Sequence, residues 1–199
     1  MRGSGAAASA SLNAGMPPCA RCKDWQVYEM PQLCFAPLKL DKCLNNDMTN
    51  HEQGARIVSA DREIAAPADQ IFELIAEPVQ QPRWDGNDNL VEAPEGQRVR
   101  AVGDVFTMKT TKGKVRENHV VEFEEGRLIA WRPAGPGEEP PGHLWRWELE
   151  PVGPSRTRVI HTYDWTQLTD EKRFARARAT TQDRLQASLD RLGALAEHG

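Results

Sequence analysis

The spacing of apolar and polar positions divides the chain from residue 56 onward into short, regular elements. Residues 56–64 (RIVSADREI) alternate with a period of two and predict a strand. The stretch Ala65-Ala66-Pro67-Ala68-Asp69 opens a helix, with Pro67 in its first turn and Ile71, Phe72, Leu74 and Ile75 on its buried side. Pro78 ends that helix, because the residue before a proline resists helical dihedrals. Val79–Trp84 leaves room for one more turn before the Pro82-Arg83-Trp84-Asp85-Gly86 bend. Six strand-like runs follow: Asn89–Ala93, Asp104–Thr110, Val115–Glu124, Arg127–Arg132, His143–Glu150 and Arg156–Gln167. Lys112-Gly113-Lys114, Glu125-Gly126, the Pro133–Gly142 loop and Pro151–Pro154 punctuate the later ones as turns. Asp170–Glu197 predicts one long amphipathic helix, with Thr169 as its N-cap. Its apolar stripe holds Phe174, Thr181, Leu185, Leu189, Leu192 and Ala196, with Arg178 among them as an out-of-place charge.

The element order predicts an α+β domain: one strand, two short helices, about six antiparallel strands, then a long helix. A meander of that size has one face to cover, and only the terminal helix is long enough to cover it. Strand parity says which side chains meet the helix. His143, Trp145, Trp147 and Leu149 alternate with charged residues, as do Thr157, Val159, His161, Tyr163 and Trp165. In the 115–124 strand Val121 and Phe123 are expected inside, and the same parity carries Glu117 and His119 with them unless a bulge intervenes. Trp131 joins from the next strand. The inner surface is therefore expected to be aromatic with a few titratable points, the make-up of a ligand pocket. The competing reading is a filled core with hydrogen-bonded histidines.

Composition narrows the function classes. At 199 residues the chain is one domain with an appendage, and a net charge of −4 with pI about 5.8 argues against nucleic acid as a partner. No run approaches the length of a membrane-spanning helix. The Ala/Ser-rich start is too weakly apolar for a signal-peptide core, so a cytoplasmic location is expected. Residues 1–55 lack any period and are expected to be a poorly ordered extension, with Met48 a candidate natural start. All four cysteines fall there, Cys19, Cys22, Cys34 and Cys43. A zinc site on them is a minor alternative, because the second C-x-x-C of a ribbon is missing. No metal or other cofactor is expected.

The stretch from Ala60 to Pro78 (ADREIAAPADQIFELIAEP), with Trp84-Asp85, Val102–Phe106 and Arg158–Trp165 before the last helix, resembles the START-like or SRPBCC superfamily, in its polyketide cyclase/dehydrase-like branch. The resemblance covers about residues 56–197. It implies a helix-grip fold: a curved antiparallel sheet of six to seven strands wrapped on the terminal helix, with a deep cavity between. It also implies a mouth framed by Trp84–Asn89, the Pro133–Gly142 loop and Phe174–Arg178. The superfamily has no universal catalytic motif, so no catalytic residue is carried over by position.

Three functions stay open. The first is binding of a hydrophobic, aromatic or polyketide- or lipid-like small molecule by Trp84, Glu117, His119, Trp131, Trp145, Trp147, His161, Tyr163, Trp165, Phe174, Arg178 and Thr181. The second is a cyclase/dehydratase-type enzyme, with His161 or His119 as base, Tyr163 as acid and Arg178 stabilising an enolate. The third is a protein-interaction module with a vestigial cavity.

Overall fold

The computed structural model describes residues 55–199. The extension, Met48 and the four cysteines lie outside the described residues. Seven strands form one antiparallel sheet in the order β1-β7-β6-β5-β4-β3-β2. They are β1 (Ile57–Ile64), β2 (Leu90–Glu92), β3 (Val105–Thr110), β4 (Val115–Glu124), β5 (Leu128–Ala134), β6 (Leu144–Gly153) and β7 (Arg156–Asp164). Helices α1 (Ala68–Ala76) and α2 (Gln81–Trp84) link β1 to β2; α3 (Phe174–Arg178) and α4 (Gln182–His198) close the chain. No helix among the described residues is long and apolar enough to cross a membrane.

Only the first strand joins the sheet out of sequence, pairing with the last from Ile57↔Asp164 to Ile64↔Thr157. All the other neighbours are consecutive strands, as hairpin connections favour. The inner faces of β1, β6 and β7 supply Ala60, Ile64, Trp147, Leu149 and Val159 to the core. Ile71, Phe72 and Ile75 of α1 and Leu185, Leu189, Leu192 and Ala196 of α4 cover them. The α4 residues recur at intervals of three and four, so one stripe of the helix meets the sheet.

The bend after α2 fastens that helix. Asp85 accepts hydrogen bonds from the backbone N–H groups of Asn87 (3.0 Å), Asn89 (2.9 Å) and Leu90 (3.2 Å). Trp84 donates its indole N–H to the Leu74 carbonyl at 2.8 Å. Gly86 lies directly on α4: a Cβ there would meet the Ser188 backbone nitrogen and stand 2.6 Å from the Arg184 carbonyl oxygen. Its own N–H donates to Ser188 Oγ at 2.9 Å. A side chain at this point would push the bend off the helix.

Two expectations need correction. The terminal helix is not continuous. A 3-10 turn at Glu171–Arg173 leads into α3, and extended backbone at Thr181 separates α3 from α4. Asp170, rather than Thr169, caps the start, accepting from the Lys172 N–H at 3.1 Å. The break explains Arg178: on α3 it is exposed, its guanidinium 6.0 Å from the Trp165 ring and 5.7 Å from the Phe174 ring, and it interrupts no buried stripe. The second correction concerns β4. Its pairing with β5 shifts between Val120 and Glu122. The bulge reverses the parity, so Arg116, Asn118 and Val120 share the inner side with Phe123, while Glu117 and His119 face away. Smaller differences follow from pairing: β5 continues through Ala134 opposite Glu117, and β7 ends at Asp164.

Candidate functional site

The sheet and helices enclose a cavity of about 660 Å³ that reaches the surface. This is the size range of small-molecule pockets. The tryptophans therefore do not fill the interior.

One wall is a chain of rings built by cross-strand pairing. Trp147 stands opposite His161, Trp145 opposite Tyr163, and Trp131 opposite Trp145. Their rings touch: Trp147 stacks on His161 with centroids 3.6 Å apart, and His161 lies 5.5 Å from Trp145. Trp145 meets Tyr163 at 4.4 Å, and Tyr163 meets His143 at 6.0 Å. Trp84 extends the series, edge-on to Trp147 at 5.1 Å. Packing of this kind fixes each ring by its neighbours and leaves a rigid apolar surface.

Polar groups in this wall are few and are not ionised. His161 is buried, with Nδ1 3.3 Å from the Arg146 carbonyl oxygen, and burial pushes its pKa down to about 3. Nδ1–H donates there in the neutral ring, which leaves Nε2 as an acceptor. His143 is lowered to about 4, first by burial and then by Arg173, Arg176 and Arg116. Burial raises Tyr163 to about 12, so its phenol stays a neutral donor. Trp147 Nε1 and Gln81 Nε2 are buried in the wall with no hydrogen-bond partner among the described residues.

The mouth is charged. Lys112, Lys114 and Arg116 come from the β3–β4 hairpin; Lys172, Arg173 and Arg176 come from the turn and helix α3; Arg184 comes from α4. Asp85 is the one carboxylate in the lining, and backbone donors already surround it. Strand parity does not mark these cations, because Lys112-Gly113-Lys114 predicts only a turn. The basic spacing of Thr110-Thr111-Lys112-Gly113-Lys114-Val115-Arg116 was the available signal.

Of the residues singled out in the sequence, Trp84, Trp131, Trp145, Trp147, His161 and Tyr163 line this cavity. The other six lie outside the lining. Glu117 faces away and accepts a hydrogen bond from the Gly137 N–H at 3.0 Å. His119 is on the same outer side. Trp165 and Phe174 pack on each other at 5.5 Å, beneath Arg178 and Arg56. Thr181 is exposed at the start of α4. Of the expected frame, the Trp84–Asn89 bend and α3 contribute to the lining, but of the Pro133–Gly142 loop only Pro133 does, and it belongs to β5. No cluster of His, Cys, Asp and Glu suited to a metal ion occurs among the described residues.

Residues 55–197 match the family model described as "Polyketide cyclase / dehydrase and lipid transport". Uncharacterized proteins of two Mycobacterium tuberculosis strains are 29% and 30% identical over 117 and 116 residues, 57% of this chain. The chain spans about half the length of these curated relatives, 50% of each. Among solved structures, the Zhui aromatase/cyclase from Streptomyces sp. R1128 superposes with a TM-score of 0.54 at 17% identity, covering 71% of this chain and 93% of that one. A Chromobacterium violaceum protein gives 0.52 at 16% identity, covering 72% and 99%. The Aha1 dimer structure from Colwellia psychrerythraea gives 0.50 at 20% identity, covering 72% and 97%. Identities this low speak for the fold alone.

Proposed function

The chain belongs to the polyketide cyclase/dehydrase and lipid-transport family, and from that premise we propose that it binds a hydrophobic small molecule with an aromatic, polyketide-like or lipid-like body in the cavity between sheet and helix. The observation that carries this reading is the stacked wall of Trp84, Trp147, His161, Trp145 and Tyr163 facing an open volume of about 660 Å³. A flat apolar ligand placed there gains contact area and ring stacking against side chains that are already ordered.

The same wall favours binding over acid–base turnover. A general base works best with a pKa near the working pH. His161 at about 3 and His143 at about 4 are weak bases, and Tyr163 at about 12 is a weak acid. His119 and Arg178, the other candidates for chemistry, lie outside the cavity lining. The reading is therefore a carrier or sensor, ahead of a cyclase or dehydratase.

Native mass spectrometry of the purified full chain tests it. A bound small molecule that disappears in Trp145→Ala is the expected result. If the wild type carries no ligand and also fails to take up the neutral apolar dye N-phenylnaphthylamine, the reading is wrong.

A further inference from the structure

The cations of the mouth are not explained by an apolar ligand. Six of them, Lys112, Lys114, Arg116, Lys172, Arg176 and Arg184, form no ion pair among the described residues, and Arg173 pairs only with its near neighbour Asp170 at 3.2 Å. Among the described residues Arg56, Arg83, Arg100, Arg132 and Arg178 also lack an ion pair, but they are scattered and none lines the cavity. Arg62, Arg98, Arg146 and Arg158 each hold two carboxylates. What sets the mouth apart in a chain of net charge −4 is the gathering of seven cations in one lining whose single carboxylate, Asp85, is already held by backbone donors.

They also come from opposite sides. Arg116 reaches the mouth from β4, and Arg173 and Arg176 reach it from the turn and α3. The three line the same opening; burial depresses the Arg116 guanidinium most, Arg176 and Arg173 add to it, and Glu138, outside the lining, offsets only part of this, while all three arginines depress His143. Like charges held together beside an apolar chamber repel unless an anion joins them. A guanidinium fork matches the oxygens of a carboxylate, sulfonate or phosphate, and such bonds are the strong ones.

We propose that the mouth is an oxyanion site: the ligand enters apolar end first and leaves an anionic group between Arg116 on the hairpin side and Arg173 and Arg176 on the helix side. This rests on the cavity reading above and narrows its substrate class to amphiphiles with an acidic end. Two sources give the same chemistry. The oxyanion belongs to the amphiphile itself, or it is a free phosphate seated over a neutral guest.

A matched dye pair separates these possibilities. Anilinonaphthalenesulfonate and N-phenylnaphthylamine share one ring system, and only the first carries a sulfonate. At low salt the sulfonate dye is expected to bind about ten-fold or more tightly than the neutral one, as fits one charge-assisted contact. That preference should vanish in the double variant Arg116→Gln/Arg176→Gln and shrink at high salt. Thermal melting checks that the double variant folds; should it not, Lys112→Gln/Lys114→Gln on the exposed hairpin is expected to lower the preference by a smaller factor. Inorganic phosphate that competes with the sulfonate dye alone places the anion on the amphiphile. Phosphate that instead tightens the neutral dye places it on a free anion, and either result supports the site. Equal affinity for both dyes, unchanged in these variants, overturns the oxyanion site and leaves the cavity reading standing. Failure of both dyes to bind removes both.

Discussion

Trp145 and Arg146 are neighbours in β6, yet they belong to different chemical worlds. Trp145 faces the cavity among other rings. Arg146 faces away and is held by Glu122 at 3.0 Å and by Glu148, which keep its guanidinium protonated more firmly than usual. The pattern repeats along the outer side, where Arg158 meets Asp61 at 3.1 Å and Glu150 at 3.4 Å. There these arginines each meet two carboxylates, and the ladders largely cancel. On the cavity side the rings are neutral, the histidines are held unprotonated, and the cations at the mouth are left bare. Paired charges on a wet face contribute little stability and no field. Bare cations beside an apolar chamber make a field directed at whatever enters. The contrast separates residues that hold the sheet together from residues that face a guest.

The largest test of this contrast is on the inner side. Trp147 is fully buried, stacked on His161 and edge-on to Trp84. Trp147→Ala is expected to cost about 3–5 kcal/mol by urea unfolding, at the lower end because it borders an existing void. A cost under about 1 kcal/mol would mean that the wall is not a packed unit.

Next comes pH. His161 and His143 have folded pKa values lowered to about 3 and about 4 from 6.5. Between those values and 6.5 the unfolded chain binds protons that the folded chain refuses, so stability must fall as pH falls. Each histidine contributes a slope of about 1.4 kcal/mol per pH unit well inside the window, and nothing above it. The clean range is from 6.5 down to about 4.5, because the lowered carboxyls of Glu73 and Glu148 lose their contributions only on falling below their ordinary value of 4.5. His161→Gln should flatten the slope there by about one proton. An unchanged slope in that variant would show that His161 is protonated in the folded protein.

The smallest effect lies outside. Arg146→Ala removes both ion pairs of a half-buried guanidinium and is expected to cost about 1 kcal/mol or less. A larger loss would mean that the outer ladder carries the sheet.

What the sequence made legible follows the same division. The period-two strands and the Ala60–Pro78 signature placed nearly every element within a few residues, because alternation records which face is buried. The rings of β6 and β7 were readable for that reason. The bulge after Val120 was not, since one inserted residue inverts a face without altering composition; hence Glu117 and His119 were expected on the wrong side. The break before α4 was hidden because Ala179-Thr180-Thr181 fits a helical wheel, although Thr181 followed by Asp183 is itself the signature of a helix start. The cationic mouth was invisible for a different reason. Its members lie on three separate elements, and only the fold brings Arg116 to Arg173 and Arg176.

The most direct measurement compares the two neighbours in β6. N-phenylnaphthylamine would be titrated into the wild type, Trp145→Ala and Arg146→Ala, with fluorescence read to saturation. The cavity account expects one site, a loss of about ten-fold in affinity for Trp145→Ala, and an unchanged constant for Arg146→Ala. Equal binding by all three proteins, or no saturable binding by any, would contradict it.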